Sequence, residues 1–275
     1  MQFDTVTDWL RFIERPTTML ARDRSSLTGT REFTDTDTLE EAIGLARKGW
    51  KDGTAKITAM TADITKRIDG QLPKPSYVPS RKGGSFMMGK VLEGHPNCRI
   101  RKVDLGERID AHNAKIVRLV VNVSASGGIG TDAFIRRGAA AAVVASVLQR
   151  RGQRVSIDVV RCVSTGYNST AQHEVRVRVK REQEAISLEK IAFLLGHAST
   201  LRRLMWSTVE HEPDATRARF GFGKDYGGYG LPAESENKGD IYIGRILSAS
   251  DWSDKFAMAW ITKTLSDQGI ILKGI

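Results

Sequence analysis

Cysteine is scarce in this chain: two in 275 residues, Cys98 and Cys162, with no C-x-x-C pair and no metal-type spacing. That excludes a disulfide scaffold and points to a reduced, cytoplasmic setting in which both thiols are inert. Long apolar runs are also lacking. The alanine- and valine-rich stretch from Gly138 to Leu148 falls well short of the roughly 20 residues a membrane span needs. The start, MQFDTVTDWLRFIERP, has acids where a secretory signal needs base followed by an apolar block. Internal repeats and low-complexity tracts are missing, which removes solenoid and fibrous folds. The five histidines (His95, His112, His173, His197 and His211) are scattered with no H-E-x-x-H pair, and no G-x-x-x-x-G-K-[ST] phosphate loop occurs. His197, mid-helix at a glycine, reads as a packed residue. Glu210, Glu212 and Asp214 could in principle hold magnesium for a nuclease, though a solvated helix end is the simpler reading. The expectation is a soluble protein that is not an enzyme and carries no cofactor.

Positive charge, by contrast, is plentiful. Lys and Arg number 42 against 32 Asp and Glu, a net charge of +10 and a pI near 9.7. An excess of that size suggests an anionic partner, nucleic acid before membrane. Length alone allows one large domain or two small ones.

The stretch from Ile116 to Val163 fixes the fold class. A β-branched run is followed by Gly127, Gly128 and Gly130 in a turn, then by Thr131 and Asp132 as helix caps, an alanine-rich helix closed by Gly152, and a second apolar run. This is a βαβ crossover, hence α/β: a mostly parallel sheet flanked by helices, with an N-terminal helical part. The loop carries Asn122, Ser124 and Ser126 as N-x-S-x-S at a strand end, where open α/β sheets present ligand sites. Here the chain resembles the von Willebrand factor A-type fold, or more broadly a Rossmann-like core. The A-type family has D-x-S-x-S at this place, whose carboxylate and two hydroxyls help hold magnesium. Asn122 replaces the carboxylate with a neutral amide, a poorer ligand for a hard cation. Ser124 and Ser126 are thus weak metal candidates, and a small-residue turn that lets helix and strand pack is the competing reading.

Around this unit, residues 4–15 form an amphipathic helix stopped by Pro16, Thr38 to Glu41 is a capping box opening the helix that ends at Gly49, and a third helix lies between Thr54 and Ile68. Pro73, Pro75 and Pro79 precede Gly83 and Gly84 in an extended, exposed connector. The division is therefore 1–72 helical, 73–113 connector and basic loop, 114–275 α/β core. Within the core, one long helix spans 187–210, a strand covers Asp240 to Leu247, and a last helix, capped by Asp251 or Ser253, runs to Gln268.

Three segments join cations to glycines or rings. In HEVRVRVKRE, a period of two sets Val175, Val177 and Val179 on one face and Arg176, Arg178 and Lys180 on the other. That second face is either a nucleic-acid contact or an edge strand guarded by charge. In RARFGFGKDYGGYG, Arg217, Arg219 and Lys224 interleave with Phe220, Phe222, Tyr226 and Tyr229, the composition of a loop whose cations track phosphates while rings stack on bases. A glycine-rich loop whose rings tuck into the core is the alternative. In SRKGGSFMMGK, Arg81, Lys82 and Lys90 surround Phe86, repeating the theme.

LEEAIGLARKGW (39–50), RLVVNVSASGGI (118–129) and the helix ending QRRG together resemble the single-stranded DNA-binding RNA polymerase cofactors of podoviruses that carry a virion RNA polymerase. That resemblance implies a protein that coats exposed early-promoter DNA and recruits the phage's heterodimeric RNA polymerase in the host cytoplasm, with room for self-association along the strand. No individual binding residue transfers from it. Single-stranded DNA binding through the basic and aromatic segments is the leading reading, and a metal-assisted protein-interaction domain using the Ser124 and Ser126 loop is the alternative.

Overall fold

A computed structural model of the chain describes residues 1–68, 75–80, 85–86, 88–93, 96, 98–104, 115–166, 171–223 and 229–270. Arg81, Lys82, Lys224 and Tyr226 lie outside the described residues. In chain order the strands are β1 (Gln2–Phe3), β2 (Pro75–Ser80), β3 (Ser85–Phe86), β4 (Arg99–Asp104), β5 (Ile116–Asn122), β6 (Arg154–Ser164), β7 (Gln172–Lys180), β8 (Leu231–Pro232) and β9 (Ile241–Ile243). The helices are α1 (Val6–Ile13), α2 (Ser25–Thr28), α3 (Arg31–Thr34), α4 (Leu39–Lys48), α5 (Lys51–Ile68), α6 (Met88–Leu92), α7 (Thr131–Arg150), α8 (Leu188–Gly196), α9 (Trp206–Glu210), α10 (Asp214–Phe220) and α11 (Asp254–Asp267).

The main sheet has the order β1-β7-β6-β5-β9, with β8 paired to the end of β6. β5 runs parallel to both β6 and β9, and β1 parallel to β7, while β6 pairs antiparallel with β7 and β8. The fold is therefore α/β with a mixed, mostly parallel sheet, and the β5-α7-β6 crossover is the expected one. Local chemistry sets its ends. The Thr5 side chain accepts from Asp8 N at 3.0 Å to start α1, and Thr38 accepts from Glu41 N at 3.0 Å to start α4. Gly152 at φ +82° lets the chain turn out of α7 into β6. The expected Thr131 or Asp132 cap of α7 is not formed; Gly130 occupies the cap position without a side-chain bond.

One sheet face buries Val117, Leu119, Val121, Val155, Ile157, Val159, Val175 and Val177 with every buried apolar helix residue. Trp9, Leu10, Ile13, Leu39, Ile43 and Ile57 join the same cluster, so the N-terminal helices complete the core's helical layer. On the opposite face lies a small cluster of Val120, Val160, Cys162 and Ala233, with no helix residue in it. The 73–113 segment contains more than an extended connector: β2, β4 and β3 form a second, antiparallel sheet. Among the described residues no helix is long and apolar enough to cross a membrane.

The helix expected over 187–210 is broken. α8 ends at Gly196, His197 is extended, and the chain re-enters through a π-helical turn at Thr200–Met205 before α9. Where α8 ends, the backbone meets α7: a Cβ on Gly138 would sit 2.4 Å from Gly196 Cα and 2.5 Å from its N. Gly44 in α4 has open space around the same position. Accordingly Gly138→Ala, despite better helix propensity, should lower unfolding free energy by about 1–3 kcal/mol. Gly44→Ala should raise it by up to about 1 kcal/mol. Urea unfolding of both variants checks the contrast, and a stable Gly138→Ala protein would contradict the crossing.

Candidate nucleic-acid interface

The period-two reading of β7 is right about faces: Val175 and Val177 are fully buried in the core, and the cations occupy the other side. The expectation of a free basic stripe needs correction. Arg176 and Lys180 are buried, and Arg176 donates through Nη2 to Ser235 Oγ and the Asn237 carbonyl and pairs with Glu174 at 2.7 Å. Lys180 Nζ donates to the carbonyls of Val155 (2.6 Å) and Arg181 (3.0 Å). The reason is Asp158 on β6, fully buried, which the antiparallel register places opposite Arg178. Its carboxylate accepts from Arg178 Nε and lies 2.8 Å from Arg118 Nη2 and 3.4 Å from Arg176 Nη1. One carboxylate on β6 thus serves three guanidiniums from the two strands that flank it, β5 and β7, leaving Arg118 and Arg178 partly exposed at its rim. Arg118 and Asp158 escaped sequence reasoning because neither stands in a basic run; a lone acid in an apolar strand was the available signal.

The rings of the glycine-rich segment also differ from expectation. Phe220, Phe222 and Tyr229 are buried. Phe220 stacks on Phe222 at 5.5 Å and both meet the His173 ring edge-on. Tyr229 stacks on Trp206 at 4.3 Å, donates its hydroxyl to Glu210 Oε1 at 2.7 Å and accepts from Ser25 N. Burial, then the Glu210 charge, pushes its phenol pKa well up. Their faces are filled by protein, so the core alternative describes these three. Arg217 donates to Glu210 O at 3.0 Å and to Asp214, whereas Arg219 is exposed beside Phe220. Glu210, expected at a solvated helix end, is fully buried and accepts from Arg24, Ser26 and Tyr229. Glu212 takes His173 instead, so the three carboxylates weighed for a nuclease each have separate protein partners.

At the N-x-S-x-S loop, Asn122 Nδ2 donates to the Ala233 carbonyl (2.8 Å) and Tyr242 Oη (3.0 Å), while its Oδ1 accepts from Ser124 N. Ser124 Oγ donates to Cys162 O and accepts from Cys162 N. Both side chains stitch β5 to its neighbours, and a cation would have to displace those bonds; Ser126 is the half-buried member.

In the second sheet, backbone register sets Arg99 directly across from both Ser80 and Phe86, and Lys102 across from Tyr77. Lys90 sits in α6, half-buried. Of the two expected partners, Phe86 belongs to the ribbon and Lys90 to a helix that follows β3 in the chain, and sequence reading missed Arg99, Arg101 and Lys102 because prolines masked the strand pattern.

Residues 1–271 match a family model described as Domain of unknown function (DUF7192). The chain belongs to this family. The match includes the ribbon as well as the core. No curated protein and no solved structure matches the chain.

Replacing the shared carboxylate, Asp158→Asn, takes the buried counter-charge from Arg118 and Arg178, leaves Arg176 with Glu174 alone, and should lower unfolding free energy by about 3–5 kcal/mol. Denaturant melts of the two proteins at equal pH measure it, and a deficit below 1 kcal/mol would mean surface-type pairing. His197 supplies a second test. It is buried edge-on to Trp50 at 4.6 Å, and its Nδ1 accepts from Ser199 N at 3.1 Å, which fixes the neutral ring. Burial, with the Arg31 charge adding, brings its pKa down to about 4 although Asp35 lies 3.3 Å away. The unfolded chain takes up a proton near 6.5 and the folded one only near 4. Stability is therefore complete above the first value and lost as pH falls between the two, by at most about 1.4 kcal/mol per pH unit. His197→Gln should flatten that part of the stability profile; an unchanged slope would refute the assignment.

Proposed function

We propose that the chain is a single-stranded DNA-binding protein of the transcription-cofactor kind, with the β2-β4-β3 ribbon as its principal contact surface. The observation that carries this reading is the register: Arg99 is paired with Phe86 and Lys102 with Tyr77, so a basic and an aromatic residue hold opposed positions twice. Single strands need that pairing, because phosphates take the cation while unstacked bases offer a face to the ring. Composition supports it, since residues 73–113 hold eight Lys and Arg against four Asp and Glu. The cations of β7, by contrast, are largely neutralised within the fold. Recruitment of a phage RNA polymerase rests on the resemblance over 39–50 and 118–129. Metal-assisted docking at Ser124 and Ser126 has less support, since Ser124 and Asn122 are committed to internal bonds.

Fluorescence anisotropy with single-stranded and duplex oligonucleotides tests the reading. Single strands should bind tighter, with a log–log salt slope of about −0.7 per phosphate neutralised. Arg99→Ser with Arg101→Ser should weaken binding for every sequence and flatten the slope. Phe86→Ala should cost about 1–3 kcal/mol in affinity with the slope kept. Equal affinity for duplex, or ribbon variants that bind normally, would overturn the interface. Transcription by the phage polymerase that proceeds equally without the protein would overturn the cofactor role.

A further inference from the structure

Arg161 poses a problem that the fold itself does not solve. It lies on β6, is 1% exposed, and sits on the apolar face of the sheet with its guanidinium 5.0 Å from the Phe222 ring centroid. Its Nη2 donates to the Tyr229 carbonyl, but among the described residues Nη1 has no hydrogen-bond partner and no carboxylate pairs with the group. Burial brings its pKa down to about 10, so it stays charged at neutral pH. Two other buried guanidiniums are answered in full, Arg176 by Asp158 and Glu174 and Arg203 by a ring of carbonyls, and Arg137, whose Nε also has no partner among the described residues, is not in the wall of the cleft beside Arg161. A buried charge with an empty donor is costly unless something supplies the missing acceptor and counter-charge.

Beside Arg161 is a place for such a partner. A cleft of about 310 Å³ opens at the C-terminal ends of β5 and β6, with Ser126, Gly127, Arg161, Leu201, Trp206 and Leu231 in its wall. β5 and β6 run parallel, and the carboxyl ends of parallel strands are where open α/β sheets receive ligands. The volume is at the lower end of the range for small-molecule sites, about 300–1,000 Å³, which suits one nucleotide and excludes a folded peptide or a duplex. Apolar and aromatic walls with one uncompensated cation fit a ligand that has a flat, weakly polar body and an anionic group.

We propose that this cleft binds a nucleoside monophosphate or a nucleotide at a strand end, with Arg161 as the anion's partner. The site is separate from the ribbon and does not depend on it.

The test is thermal melting and calorimetry of the full chain with AMP, dAMP, inorganic phosphate and a 5′-phosphorylated oligonucleotide. A nucleoside monophosphate should bind one per chain and raise the melting temperature more than inorganic phosphate does. Arg161→Met keeps the volume and removes the charge, so the free protein should melt no lower than the natural one, while nucleotide affinity falls at least tenfold. Ser126→Leu, which crowds the wall and leaves the guanidinium, should also abolish the shift, and it decides the matter if Arg161→Met does not fold. Response to the oligonucleotide alone assigns the site to a strand end; response to free nucleotide assigns it to a soluble ligand. Arg99→Ser with Arg101→Ser should leave the nucleotide shift intact, which keeps failure of the ribbon distinct from failure of this cleft. The proposal is overturned if none of the probes binds, or if both cleft variants bind them as the natural protein does.

Discussion

Asp158 is the constraint on which the molecule's second sheet face depends. A parallel sheet ordinarily hides both faces under helices, yet here the buried apolar helix residues among those described gather on one side. The uncovered face survives because Arg118, Arg176 and Arg178 converge on a single carboxylate, their aliphatic stems covering strand while their heads find an acceptor. Remove the acid and the face becomes three like charges in a half-dry setting. Residues 233–237 then complete the cover, with Ala233 in the small apolar cluster and Ser235 and Asn237 accepting from Arg176.

This changes what net charge means for the protein. The excess of +10 counts Arg137, Arg161, Arg202 and Arg203, all of which are buried. Arg137 donates to the Asn122 carbonyl, and Arg202 to the carbonyls of Phe33, Gly127 and Ile129. Cations used this way are taken up by carbonyls inside the fold, so fewer of them are free to contact a partner than the net charge suggests.

The crossover was legible because periodicity and turn chemistry agreed over almost fifty positions: β-branched runs, a glycine-rich turn and an alanine-rich helix allow few other arrangements. The alternation in β7 was equally legible as geometry. What failed was the inference from face to solvent, since the partner that neutralises the cations sits on another strand, and sequence spacing carries no signal of it. The rings Phe220, Phe222 and Tyr229 misled for a similar reason: interleaved glycines suggest a mobile loop, but Glu210 and Trp206 lie in wait for Tyr229 from an element many residues upstream. The break at Gly196 was hidden because the apolar stripe continues through it; only the close backbone of Gly138 explains why the helix stops. The ribbon was missed because Pro75 and Pro79 argue against strands, a rule that relaxes where β2 forms an edge.

Arg203 has a consequence of another kind. Its guanidinium donates to the carbonyls of Ser26, Leu27, Gly29, Thr36 and Asp37, drawing a stretch of short turns around one cation. That segment is organised much as a peptide wraps a bound metal ion, except that the ion is tethered to the core and cannot be chelated away. A lysine could match the charge but not the planar fork, so the N-terminal wrap behaves as a receptor whose ligand is supplied by its own chain.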